Sequence, residues 1–364
     1  MTRARLVLPL LAAGVAAWLW RAPPVEPPLD ADAPRVTRRA GDASGEVVEL
    51  LSAPHSLDRP FRSMQGPSTL QRGITLLPGA PPELLWITGA RSEVILEDGE
   101  GSAAPRYLCH ANLMLDRGAT PGLASRLITL APGRSGISLP AGYGLPVLSN
   151  QSLDVYSMAL NRDAGAVPRR IRFRTRIEFT RDRDTAAIMQ PLALRALYVT
   201  EPIGDRASVH AHADHGGGGE DSSEHGSVNA SEGGVMDRFG VSRTIHWIVP
   251  PGTREYRADV TDQLELSADT TLLYATGHLH PFGRSISLRD LTEDRTVLTV
   301  RQIEPADPAA EPSIDEIVIR EGVPLARDHR YELVALYENR TAEPVDAMAI
   351  LYLYVGDRDF RRPA

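Results

Sequence analysis

From Gly45 onward the apolar residues come in short runs, broken every few positions by Gly, Pro, Asn or Asp. No stretch sustains the 3.6-residue period of a long amphipathic helix. The clearest run is 171–180, in which Ile171, Phe173, Thr175, Ile177 and Phe179 alternate with Arg172, Arg174, Arg176 and Glu178. A period of two turns one set toward a core and the other toward solvent, as in a half-buried antiparallel strand. Similar strands are predicted at 84–88, 94–96, 107–115, 127–130, 153–160, 194–200, 244–249, 271–280, 296–301, 316–320, 331–337 and 347–355. Many short strands with frequent turn signals predict an all-β protein of β-sandwich, jelly-roll-like form. The strands are too many for one sandwich, so two antiparallel sandwiches in tandem are expected, at 45–185 and 190–357. Their junction is predicted near 181–192.

Two segments depart from this pattern. Thr2-Arg3-Ala4-Arg5 precedes an apolar run from Leu6 to Trp20, closed by Arg21. A charged start and a short apolar run read as an export signal or a retained membrane anchor over 1–21. Residues 22–44, rich in Pro, Ala, Arg and Asp, read as a disordered tether. The protein is therefore expected to be exported, and to be periplasmic, secreted or held at a membrane by this segment alone. The second departure is a polar insertion at 208–235, where His210, His212, His215 and His225 lie among Gly, Ser and acidic residues. Such a composition buries no core, and its histidines are candidates for capturing a metal ion or for simple solvation.

Composition narrows the chemistry. The chain has 364 residues with a formal net charge of −8, and all 39 of its basic residues are Arg. An acidic balance without a basic stripe argues against a nucleic-acid partner. Without a lysine, Schiff-base chemistry and a P-loop are excluded. A single cysteine, Cys109, excludes an internal disulfide and any cysteine-built metal cluster. No serine nucleophile elbow and no His-Glu-x-x-His helix occur.

The candidate chemistry lies in His278-Leu279-His280, at the end of a predicted strand and before Pro281-Phe282-Gly283. In a strand, residues i and i+2 point the same way and stand about 7 Å apart along the chain, which suits two ligands of one metal ion. Met348 opens a later apolar strand, and a thioether beside two imidazoles favours Cu(I) over zinc. Asp346, two residues earlier on the same face, is the alternative third ligand if the metal is zinc. His246 is either a core residue or a partner of the site, and buried histidine and methionine with no metal is the plain alternative.

The stretch Val249-Pro250-Pro251-Gly252 through Tyr256 and Asp259-Val260-Thr261, the His278-x-His280 strand with Gly283, and Tyr337-Glu338-Asn339 followed by Asp346-Ala347-Met348 resemble the C-terminal domain of one family. This is the copper type II, ascorbate-dependent monooxygenases, among them peptidylglycine α-hydroxylating monooxygenase and dopamine β-monooxygenase. The resemblance implies that His278, His280 and Met348 bind the oxygen-activating copper. It also implies hydroxylation of a C–H bond in a small-molecule or peptide substrate, with ascorbate or another external reductant as electron donor. The first half resembles the family less. Leu108-Cys109-His110 is similar to its paired-His strand with Cys109 in place of the first His, and Met158 stands where a further His is found. Cys109, His110 and Met158 thus form a degenerate counterpart of the electron-transfer copper site. A non-catalytic copper-binding or buffering protein on the same scaffold is the alternative.

Overall fold

The computed structural model of the protein describes residues 34–41, 45–61, 66–79, 81–97, 105–116, 125–161, 168–202, 235–236, 242–305 and 312–363. The expected leader, the first part of the expected tether, and His210, His212, His215 and His225 lie outside the described residues. Among those described there is no α-helix, and no helix is long and apolar enough to cross a membrane. The protein is all-β, two antiparallel sandwiches following one another along the chain.

In the first half, Glu46–Leu51, Arg169–Arg181, Leu84–Leu96 and Tyr143–Leu148 are neighbours in one sheet. Facing it is a four-stranded sheet of Ser68–Ile74, Leu153–Ala159, Leu108–Leu115 and Ser125–Leu130. Val48, Leu50, Phe173, Ile177 and Phe179 of the first sheet pack against Ala111, Leu113, Ile128 and Val155 of the second. The alternation in Arg169–Arg181 explains this face, since its Ile and Phe side chains are fully buried. Each such side chain contributes about 1.5–3 kcal/mol. The opposite face is less open than alternation alone suggests. Arg172 is buried, and Arg172, Arg174 and Arg176 pair with Glu97, Glu93 and Glu49 of adjoining segments.

Two local readings are corrected. Leu84–Leu96 is one strand of thirteen residues rather than two short ones. Gly89 is no break: a side chain there would sit 2.8 Å from the Ile137 carbonyl oxygen, where Gly136–Ser138 pairs alongside. The expected tether also carries structure, because Arg35–Ala40 pairs antiparallel with Glu46–Leu51 as an edge strand. All six of its residues are exposed, so it buries nothing that hydrophobic patterning could reveal. Backbone pairing holds it, helped by the Arg38 guanidinium donating to the Leu76 and Thr75 carbonyls and by Arg39 beside Glu49.

In the second half, Gln190–Tyr198, Ala349–Gly356, Thr270–Leu279 and Ile317–Leu325 form one layer. Gly252–Asp259, Tyr331–Asn339, Gly283–Asp290, Arg295–Ile303 and Ser313–Ile314 form the other. Leu272, Ala275, Leu351 and Leu353 meet Ile286, Leu288, Val300, Leu333 and Tyr337 between them. The two halves share more than a linker. Gln190 and Pro191 pair in parallel with Tyr143 and Gly144, which joins a layer of each half into one eleven-stranded sheet. Leu273, Tyr274 and Tyr354 from the second half pack into the core of the first. The polar insertion leaves and re-enters beside itself, for Glu201–Pro202 pairs with Ser242–Thr244. Val235–Met236 pairs with the same strand, so ladder pairing resumes at the edge of the expected insertion.

Candidate metal centre

The strand Thr270–Leu279 runs antiparallel to Ala349–Gly356, with His278 opposite Ile350 and Leu279 opposite Ala349. One step further, the His280 amide donates to the Met348 carbonyl at 3.1 Å. That carbonyl also accepts from the Tyr337 hydroxyl at 2.6 Å. Burial pushes the Tyr337 hydroxyl far up in pKa, so it stays protonated and donates. Alternation then sorts the side chains. Leu279, Ala347, Ala349 and Leu351 enter the core of the second half. His278, His280, Met348, Ile350 and Tyr352 line a pocket on the other face. The rings of His278 and His280 are 5.3 Å apart and nearly perpendicular. His280 and Met348 are buried, and His278 is half-buried.

The opposite wall of the same pocket comes from the first half and includes Cys109 and His110. Neighbouring strand residues ordinarily point to opposite faces. Here a bulge intervenes: His110 pairs with Met158 and Leu108 with Ala159, so Cys109 has no rung of its own. Two residues opposite one turn both Cys109 and His110 to the pocket. Met158 does not line it and packs with Cys109 and Leu160 in a small apolar cluster. His110 lies against the Tyr156 ring, with centroids 5.3 Å apart. The structure thus brings His278, His280, Met348, Cys109 and His110 to one pocket and sets Met158 behind Cys109.

Asp346 meets two imidazoles, those of His280 and His246. Its Oδ2 lies 2.9 Å from His280 Nδ1, and its Oδ1 lies 3.7 Å from His246 Nδ1. Burial raises the Asp346 carboxyl, but the two imidazoles more than offset this and hold it well below the usual carboxylate range. His246 reaches it because Trp247–Val249 pairs with Val345–Ala347, placing Ile248 opposite Asp346. The His246 and His280 rings are 5.4 Å apart. One ligand atom each from His246, His280 and Asp346 falls within 4.8 Å of the others. Sequence reading left His246 undecided, since only the register of these two short strands reveals its partner.

A second group, Asp290, Glu293 and His329, also gathers ligand atoms. His329 approaches the buried Asp290 carboxylate at 2.8 Å, and Arg295 approaches it at 3.5 Å. The amides of Thr292 and Glu293 donate to it as well. This carboxylate is engaged in closing the turn between Gly283–Asp290 and Arg295–Ile303.

No protein-family model and no curated protein matches the chain. Among solved structures, the STIV MCP is 9% identical with a TM-score of 0.33, covering 83% of this chain and 96% of its own. PNGase F, a glycosylasparaginase from Flavobacterium meningosepticum, is 10% identical with a TM-score of 0.33, covering 87% of this chain and 98% of its own. The VP2 subviral particle of infectious bursal disease virus is 8% identical with a TM-score of 0.22, covering 83% and 75%. Likeness this low carries no functional argument.

Proposed function

We propose that this is an exported copper protein of the monooxygenase type, with His278, His280 and Met348 holding one copper ion. The observation that supports the reading is convergence. These side chains come from the ends of two adjoining strands, face away from the core and meet at one pocket. The donor set fits the metal: two imidazoles and a thioether form a soft site suited to Cu(I), and three donors leave positions open for a further ligand. When bound, copper would supply one-electron chemistry and activate oxygen for hydroxylation of a substrate C–H bond. The chain's part is to hold the donors and shape their surroundings. Ile350 and Leu160 give the pocket part of its apolar wall, and Cys109 and His110 line it from the first half. With Met158 behind Cys109, these soft donors are the candidate holders of a second, electron-carrying copper. An external reductant such as ascorbate, and a small-molecule or peptide substrate, complete the proposal.

A second reading is favoured by one observation, the approach of His246, His280 and Asp346 to within ligand distance of one another. Two imidazoles and a carboxylate suit zinc. Both readings are tested by metal analysis and EPR of the purified chain. A parallel variant carries alanine at His210, His212, His215 and His225 to remove binding by the insertion. Loaded with Cu(II), wild type is expected to retain copper that His278→Ala, His280→Ala loses. Equal copper in both proteins would sink the copper reading. Zinc retained in preference to copper, and lost in His246→Ala, would establish the second. Copper bound without oxygen consumption in the presence of ascorbate, across the substrates screened, would leave a binding protein on this scaffold.

A further inference from the structure

His280 has two ring nitrogens, and the structure places a carboxylate against one of them. Nδ1 stands 2.9 Å from the Asp346 carboxylate, which accepts hydrogen bonds and cannot donate them while ionised. A neutral imidazole in that contact carries its proton on Nδ1 and its lone pair on Nε2. The ring is buried, and its backbone is braced by the His280 amide donating to the Met348 carbonyl and by the Gly283 amide donating to the His280 carbonyl, each at 3.1 Å. Asp346 is itself flanked by His246, which approaches its other oxygen from an independent strand pair.

We propose that Asp346 is a positioning residue: it fixes the tautomer of His280 so that Nε2 is the nitrogen offered to a metal, and His246 steadies Asp346 from behind. This rests on the copper reading for its purpose, though not for its geometry. A ligand imidazole whose other nitrogen donates to a carboxylate is oriented and made more basic. Sequence patterning marks Asp346 and His246 as candidates but not how they meet His280. The chain returns to the site from three places, and the carboxylate and the two imidazoles meet only through the registers of two separate ladders.

The test uses the full chain in two measurements. The first is nitrogen-15 NMR of the metal-free protein labelled at its histidine rings, with His280→Gln to assign the signal. Wild type is expected to show His280 protonated at Nδ1, and Asp346→Asn to shift the ring toward a mixture of tautomers. His280 protonated at Nε2 in wild type would overturn the proposal whatever the fate of copper. The second is a Cu(I) competition titration with a chromophoric chelator, accompanied by Cu(II) EPR. Asp346→Asn is expected to keep the copper stoichiometry while losing roughly 10- to 100-fold in affinity, with a changed hyperfine splitting. His246→Gln is expected to shift both in the same direction by less. Unchanged affinity in Asp346→Asn would refute positioning. Complete loss of one metal equivalent in both variants would make Asp346 and His246 ligands instead, and would equally refute it. A wild type that binds no copper would end the copper reading alone, leaving the NMR result to decide the tautomer.

Discussion

Met348 is the one donor of the proposed centre that distinguishes the oxidation states of copper, because thioether sulfur is soft and imidazole nitrogen is borderline. It is also a packed residue, in a cluster with Tyr198, Ile245, Ile350 and Tyr352. Replacing it with Ile nearly conserves volume, and such exchanges usually cost under about 1.5 kcal/mol. Met348→Ile is therefore expected to fold with a small loss in Tm. In competition titrations its Cu(I) affinity should fall at least about tenfold, or about 1.4 kcal/mol, while Cu(II) affinity changes less. Equal losses for both ions would show that Met348 only packs. At this scale the sequence was partly legible. The shared face of His278 and His280 follows from strand parity, and the soft character of the set from residue types. The partnership of Asp346 with His280 was not legible: parity places Asp346 and Met348 on one face but says nothing of which imidazole nitrogen a carboxylate meets.

Turns and ladders carry the next set of effects. The turn after Gly283–Asp290 is closed by Asp290, whose carboxylate accepts from two turn amides and meets His329. Burial raises the Asp290 pKa, but its hydrogen bonds prevail and leave it below the ordinary 3.8. The hydrogen bond to Asp290 holds His329 above its ordinary 6.5. The two contributions have different pH windows. That of Asp290 is present above pH 3.8 and fades as pH falls through its lowered pKa. That of His329 is complete below pH 6.5 and fades as pH rises through its raised pKa. Thermal unfolding of wild type and His329→Gln should thus differ most near pH 5–6 and converge by about pH 9. A gap that persists unchanged at pH 9 would show that His329 acts by packing. Elements buried on one face, such as Arg169–Arg181, were legible because hydrophobic burial writes a period into the sequence. Arg35–Ala40 buries nothing and wrote none, and the bulge at Cys109 depends on pairing with Leu153–Ala159 rather than on local residue choice.

Over the whole molecule, the tandem sandwiches are not independent bodies. The described residues form one compact unit, with a sheet running through both halves and Tyr274 and Tyr354 crossing into the first core. The Tyr274 and Tyr354 rings meet edge to face at 5.4 Å. Pulling the halves apart would strip both aromatics and break the parallel pairing at Gln190 and Pro191. Calorimetry is therefore expected to show a single unfolding transition whose calorimetric and van't Hoff enthalpies agree. Two resolved transitions would show that the halves unfold separately. Strand count suggested two sandwiches, but the continuity of one sheet through both comes from a parallel contact of two residues, too short to leave a pattern.

The pairing of Glu201–Pro202 with Ser242–Thr244 has a bearing on how such a molecule can change over generations. Chain ends already held side by side make a change of sequence between them a local one. A longer connection adds closure entropy only logarithmically, and the strand leading to His246 keeps its pairing with Glu201–Pro202. New sequence can be tried there, histidine-rich or otherwise, while the scaffold that carries the centre stays in register.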